Sequence, residues 1–329
     1  MALLVDNFAD YFKNIFNGGN KVKDSKLLVD MKPTLSCDYH RIMVPLDYGT
    51  LRSDKEVLFF NRNSTLGRFE VEEMKAKGYK IVVDVDDFWN LPTTHYLYPQ
   101  LNKYMSSEIP MYIRMADVVM ASTPELAYQV MKINKNVVVV PNGLPFDKGQ
   151  FTRSGDISSQ SLLVYVAGAS HRNDSKMMGE GAFGSSLTLA GYEENHPEWK
   201  KIKSYFPEAK YKMPKKAETY MTLYDGHKVA VAPLVEDGFN ICKSNLKVLE
   251  AGAKGIPIIC SPSLPYLNIK DKDVVLFAED PSQWTYLADK LRKDFSFYKE
   301  CADNLSAHVR EHYQLSESNK IRQQIFDSF

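Results

Sequence analysis

Short apolar runs, punctuated by turns, recur along the chain. In the first half they fall at residues 57–60, 81–85, 118–121 and 137–140. Runs of this kind read as strands. Stretches of helical character separate most of them, as at 69–77 and 124–133. Strand–helix alternation predicts an α/β domain built on a parallel sheet. A second set of runs, at 162–166, 229–232, 256–260 and 274–277, predicts a second α/β domain of similar design. Between the sets, DKGQFTRSGDISSQS (147–161) is polar, aperiodic and contains glycine, so it reads as a linker. From residue 281 onward the pattern is mostly helical. The expected division is 1–150, 151–300 and a helical tail at 301–329.

Composition narrows the class. A chain of 329 residues, 44% hydrophobic and 25% charged, is long enough for two domains with separate cores. Its 41 basic and 41 acidic residues cancel, so no global field draws it to nucleic acid or to an anionic membrane. Cys37, Cys242, Cys260 and Cys301 are scattered and form no C-x-x-C pair. That pattern argues against a disulfide framework or a structural zinc site and suits a reducing, cytoplasmic setting. The opening MALLVDNFADYFKNIF carries acids and lacks a long apolar core. It reads as a short amphipathic helix docked on the protein, not as a leader or a membrane span.

The chemistry concentrates at 229–266, VAVAPLVEDGFNICKSNLKVLEAGAKGIPIICSPSLPY. An apolar run ends at Pro233, an acidic loop closes on Gly238, Phe239 and Asn240, and a helical pattern follows before a second apolar run. This is a parallel βαβ unit. Taken as one helix, the segment puts Lys243, Lys247 and Glu250 at i, i+4 and i+7 on a shared face. Two cations and one carboxylate at a helix start suit a diphosphate joined to a ribose. The lysines and free N–H groups, with Ser244 and Asn245, hold phosphate oxygens, and the carboxylate accepts from ribose hydroxyls.

This stretch resembles the donor-site signature of GT-B glycosyltransferases similar to family 4. Two other segments carry the same resemblance. In MADVVMASTPELAYQVMKINKNVVVVPNGL (115–144), Ser122 or Thr123 suits an N-cap, Pro124 a first helical turn and Asn142-Gly143 a turn. In LLVYVAGASHRNDSKMM (162–178), a strand runs into Gly168. The resemblance covers roughly residues 81–275 and implies the GT-B fold: two Rossmann-like domains facing a central cleft, with C-terminal helices crossing back. It implies that Glu250 binds the donor ribose. The partner Glu of the family's E-x7-E motif falls at Cys242, and Glu236 or Asp237 of the preceding loop is a candidate substitute. His171, Arg172 and Lys176 follow Gly168 at the mouth of the sheet, where open α/β folds bind ligands. His171 is a candidate catalytic residue, and Arg172 and Lys176 match, by type only, the Arg and Lys with which the resembled family holds phosphates.

The acidic run Asp84, Asp86 and Asp87 ends an apolar strand. One carboxylate could orient or deprotonate an acceptor hydroxyl; a D-x-D metal site or a plain hydrogen-bond network are the alternatives. The resemblance extends to the Asp-Asp-x-Trp-x-Leu-Pro pattern, which puts Trp89 and Pro92 beside the same cleft, with His95 nearby. Residues 200–216, KKIKSYFPEAKYKMPKK, interleave lysines with Tyr205, Phe206 and Tyr211. Such a mixture belongs to nucleic-acid surfaces, or to a solvated helix and strand with core aromatics. Compact relatives in bacteriophages include some that glycosylate hydroxymethylated bases in DNA. The implied activity is transfer of a sugar from a nucleotide-sugar, UDP-sugar first, to a hydroxyl, with retention and without metal or other cofactor; DNA, glycans, lipid-linked sugars and proteins are the acceptor classes. An inactive nucleotide-sugar binding protein is the alternative that Cys242 motivates.

Overall fold

The computed structural model describes Val22 and residues 24–32, 35–154, 162–269 and 272–329. The N-terminal stretch read above as a helix, and linker residues 155–161, lie outside the described residues.

Five parallel strands form the first sheet in the order β1 (Leu27–Asp30), β2 (Val57–Asn61), β3 (Lys80–Val85), β4 (Val118–Ala121) and β5 (Val137–Val139). Helices α1 (Arg68–Ala76), α2 (Tyr98–Met115) and α3 (Pro124–Met131) lie between them in sequence. Thr123 caps α3, its hydroxyl accepting from Leu126 N at 3.2 Å. Ser122 instead donates to the Asp86 carbonyl at 3.1 Å. The expected turn at Asn142-Gly143 is absent: neither residue takes a left-handed conformation, and the chain runs without a turn into a bridge between Leu144 and Gln314.

Six parallel strands form the second sheet: β6 (Leu163–Val166), β7 (Leu187–Ala190), β8 (Lys210–Lys212), β9 (Val229–Ala232), β10 (Ile258–Cys260) and β11 (Leu276–Phe277). Their spatial order is β11-β10-β9-β6-β7-β8. The order reverses between β6 and β9, so their carboxyl ends flank a topological switch point, the place where such sheets bind ligands. Helices α4 (Pro197–Tyr205), α5 (Leu246–Lys254), α6 (Pro281–Lys293), α7 (Phe295–His312) and α8 (Leu315–Asp327) complete the described long helices.

The chain divides into two compact units, with limits that differ from those read in the sequence. One holds the described residues up to Asn90, then Asn102–Pro141 and Leu315–Phe329; the other holds Leu91–Leu101 and Asn142–Gln314. The first part of the expected linker is polar because it is tied down. Asp147 takes two hydrogen bonds from Arg310 at 3.0 and 2.7 Å. Gln150 donates to Ala217 O and accepts from Met221 N, and Phe151 is buried. The tail divides one helix later than expected. α7 stays with the second unit, packed on α5. Only α8 joins the first, sending Ile325 and Phe326 into a core with Leu27, Val57, Phe59 and Val82. The second core gathers Tyr165, Leu189, Trp199, Val231, Ile259 and Trp284.

Candidate functional site

The segment after β9 is held by its own Asp237 and by Ser261, which follows β10. Leu234 N–H donates to Ser261 Oγ, and that hydroxyl donates back to Leu234 O. The Asp237 carboxylate accepts from Phe239 N at 2.9 Å and Asn240 N at 2.7 Å, which winds Asn240–Cys242 into a 3-10 turn. This local capping overrides the longer helix expected from the pattern. Lys243 emerges extended (φ −67, ψ 159), and α5 starts only at Leu246. Lys243 therefore precedes the helix instead of sharing its face, while Lys247 and Glu250 do share one, 3.8 Å apart. Asn245 makes no side-chain cap, so α5 opens with its first N–H groups uncapped by a side chain and a lysine on either side. At the other end Gly255, in the left-handed region at φ 71, closes the helix.

Across the switch point, β6 runs through Ala167 into Gly168, where the backbone is extended (φ −88, ψ 176). A Cβ there would meet nothing within 4 Å. His171 follows one short turn later, and its Nδ1 lies 2.7 Å from Asp174 Oδ2. Asp174 Oδ1 accepts from Val235 N at 2.8 Å and, more loosely, from Asn240 Nδ2 at 3.5 Å. Asn240 Nδ2 also donates to Val235 O. Asp174 thus locks the acidic loop to the turn after β6. Sequence reasoning missed it, although His-x-x-Asp spacing within one helical turn was available as a signal. Burial lowers the His171 pKa below its ordinary value; Asp174 opposes the shift, and the charges of Lys243 and Lys247 add to it. His171, Asp174, Lys243 and Lys247 therefore belong to one electrostatic neighbourhood.

Glu250 is far from a bare surface carboxylate. It is 2% exposed, and both oxygens accept from phenols: Oε1 from Tyr220 at 2.8 Å and Oε2 from Tyr224 at 2.5 Å. No spacing rule joins Tyr220 or Tyr224 to Glu250, 30 and 26 residues later in the chain.

The other candidates separate. Arg172 pairs with Glu198 at 2.9 Å, sharing that buried carboxylate with Lys201. Lys176 is exposed and lies 4.3 Å from the centre of the Tyr205 ring. Ser244 Oγ accepts from Asn142 Nδ2 at 2.8 Å. Lys243 Nζ stands 4.8 Å over the Phe239 ring, which also meets His95. Glu236 is exposed, whereas Asp237 is occupied as a cap. Cys242 is fully buried, with its sulfur 3.8 Å from Gly238 O.

In the first unit the acidic run is knitted to two arginines that spacing did not flag. Asp84 is 0% exposed and bound in parallel by Arg41, Nε to Oδ1 at 2.9 Å and Nη2 to Oδ2 at 2.8 Å. That burial corrects the expectation that Asp84 could touch an acceptor. Arg62 reaches Asp86 at 2.7 Å and Asp87 at 3.1 Å. Burial opposes the charge on Asp86, but Arg62 and hydrogen bonds from Cys37 and Asn61 outweigh it and hold the carboxyl down at about 2. The Asp87 side chain keeps 26% exposure and is the most accessible of the three. Close by, Asp38 is pushed up to about 6 by burial, with Oδ1 lacking a partner. Trp89 is buried.

The aromatic residues of 200–216 are not a stacking platform. Phe206 is buried, Tyr211 donates to its carbonyl, and Tyr205 and Tyr211 pack on the second core. Among the described residues no cluster of three His, Cys, Asp or Glu side chains could hold a metal ion, and no helix is long and apolar enough to cross a membrane.

No protein-family model matches the chain, and no curated protein sequence matches it. Solved structures do. Sucrose-phosphate synthase from Thermosynechococcus elongatus superposes with a TM-score of 0.59 at 11% identity, over 82% of this chain and 72% of the other. HepE of Anabaena, in complex with UDP-glucose, gives 0.61 at 11% identity over 83% and 79%. An α,α-trehalose-phosphate synthase (UDP-forming) from Burkholderia xenovorans, with glucose-6-phosphate, gives 0.54 at 11% identity over 83% and 72%. Two parallel sheets, each flanked by helices, together with the likeness to these structures give this chain the GT-B fold.

Proposed function

We propose that this protein is a glycosyltransferase that moves a sugar from a nucleotide-sugar to a hydroxyl acceptor. One observation carries the reading. At the β6–β9 switch point a helix opens without a side-chain cap, lysines stand before and just inside it, and Glu250 lies one turn on. Departure of a nucleoside diphosphate builds negative charge on the phosphates, and fixed cations with aligned N–H groups stabilise that charge as it develops. Gly168, with open space where a side chain would be, lets a phosphate approach the backbone. Glu250 takes the ribose. HepE in complex with UDP-glucose makes a UDP-sugar the first donor to test.

The acceptor enters beside the carboxyl ends of the first sheet, where Asp87, steered by Arg62, orients its hydroxyl. Retention of anomeric configuration follows from the family resemblance, as does hydroxymethylated DNA as an acceptor to try. A metal is not needed if Lys243 and Lys247 carry the diphosphate. The test is a thermal-shift screen of nucleotide-sugars with and without divalent cation, followed by assay of nucleotide release. A metal-independent shift lost in Lys243→Ala/Lys247→Ala is the expected result; no shift from any nucleotide-sugar overturns the reading.

A second reading is a nucleotide-sugar binding protein without turnover. Its motivation is Cys242, buried where the resembled family has a glutamate. Donor binding without hydrolysis or transfer across many acceptors selects it.

A further inference from the structure

A carboxylate that is 2% exposed cannot meet a ribose until something moves away from it. Of the two phenols on Glu250, Tyr224 is itself 1% exposed, and burial together with Glu250 drives its pKa far up, so it stays a proton donor to Oε2. Tyr220 is only half-buried and opens a short 3-10 turn, Tyr220–Leu223. The backbone of that turn is anchored. Met221 and Leu223 are buried, Met221 N donates to Gln150 Oε1, and Gln150 donates to Ala217 O. The element able to yield is the Tyr220 side chain.

We propose that the Tyr220 hydroxyl holds the place of a ribose hydroxyl on Glu250, and that a nucleoside diphosphate binds by displacing it from Oε1. The inference rests on the reading of Glu250 as the ribose ligand. A phenol and a sugar hydroxyl present the same O–H donor to the carboxylate, so the exchange conserves the hydrogen bond. A ligand with no hydroxyl at that point removes the phenol and returns nothing, leaving a buried charged oxygen short of a donor. Tyr220 thereby makes the site demand a hydroxylated sugar on the nucleotide, while Tyr224 keeps Glu250 aimed.

The test is calorimetric titration of wild type, Tyr220→Phe, Glu250→Ala and the double variant. The probe is whichever of UDP, GDP, ADP, CDP and dTDP binds wild type most tightly. Tyr220→Phe removes the competing donor and keeps the ring, so affinity rises roughly tenfold, the scale of one hydrogen bond to a charged group. The gain disappears in the Glu250→Ala background. Unchanged or weaker binding by Tyr220→Phe, with binding lost in Glu250→Ala, overturns the displacement and leaves the donor site standing. Wild-type affinity in Glu250→Ala, or binding of none of the five nucleotides, overturns the donor reading itself. Fluorine NMR of fluorotyrosine-labelled wild type gives an answer independent of the variants: saturation with the nucleotide shifts the Tyr220 resonance toward its solvent-exposed position while Tyr224 stays fixed. A Tyr220 resonance that does not move also overturns the displacement.

Discussion

Gly252 of α5 lies directly against Val309 of α7: a Cβ on the glycine would stand 2.5 Å from Val309 Cγ2 and 3.2 Å from Leu305 O. The helix that carries Lys247 and Glu250 is seated by this close approach. Gly252→Ala gains about 1 kcal/mol of helix propensity. The clash falls on a stiff β-branched side chain and a backbone oxygen, which costs about 1–3 kcal/mol by overpacking. The expected outcome of urea unfolding is a lower midpoint, partly restored by Val309→Ala in the same chain. A Gly252→Ala protein as stable as wild type would show that the helices have room to spare.

Arg41 and Asp84 set up the second prediction. Both are buried, and the pair is hydrogen-bonded in parallel. Arg41 also donates to Val140 O, tying the end of β3 to the segment after β5. Asp84→Ala strands a buried guanidinium, already close to the buried Arg322, and costs about 3–5 kcal/mol of stability. Asp87→Asn, at a partly exposed carboxylate, leaves stability within about 0.5 kcal/mol and slows transfer. Matched unfolding curves and initial rates check both. A stable, slow Asp84→Ala enzyme would reverse these two assignments.

The contrast between those aspartates marks what was legible beforehand. β4 and β9 coincide with their apolar runs at both ends, because a strand buried on both faces leaves no polar position to blur its limits. β7 and β8 escaped notice for the opposite reason: Thr188 interrupts one, and the other, KYK, is an edge strand guarded by lysines. Helical spacing put Lys243, Lys247 and Glu250 on one face; Lys247 and Glu250 keep it, but Lys243 does not, since two hydrogen bonds to Asp237 decide where the helix starts. Arg41–Asp84 and Tyr224–Glu250 join residues 43 and 26 positions apart, and only the tertiary fold brings such partners together.

Gly168 yields the third prediction. Its φ of −88 suits any residue, and a Cβ there touches nothing within 4 Å, so neither conformation nor packing demands glycine. Gly168→Leu should keep the wild-type melting temperature and lose nucleotide binding by at least about tenfold, because the side chain fills the space left for phosphate. Melting curves and titration of one protein sample separate the two effects. Unimpaired binding would place the diphosphate elsewhere.

His171 yields the last, through proton linkage. In the free protein its pKa lies below the ordinary value because it is buried and because Lys243 and Lys247 repel the imidazolium, so it is neutral at pH 7. A diphosphate seated on those lysines cancels their field, and the His171 pKa rises on binding. A pKa that is higher in the complex than in the free protein means proton uptake, so affinity gains as pH falls through the His171 pKa of the complex. Titration calorimetry in two buffers of different ionisation enthalpy measures that uptake directly, and subtracting His171→Gln removes the nucleotide's own titration. Lys243→Ala raises the His171 pKa of the free protein, readable by NMR of the imidazole, and shrinks the uptake in proportion. Equal proton uptake in wild type and His171→Gln would place His171 outside the field of the phosphates.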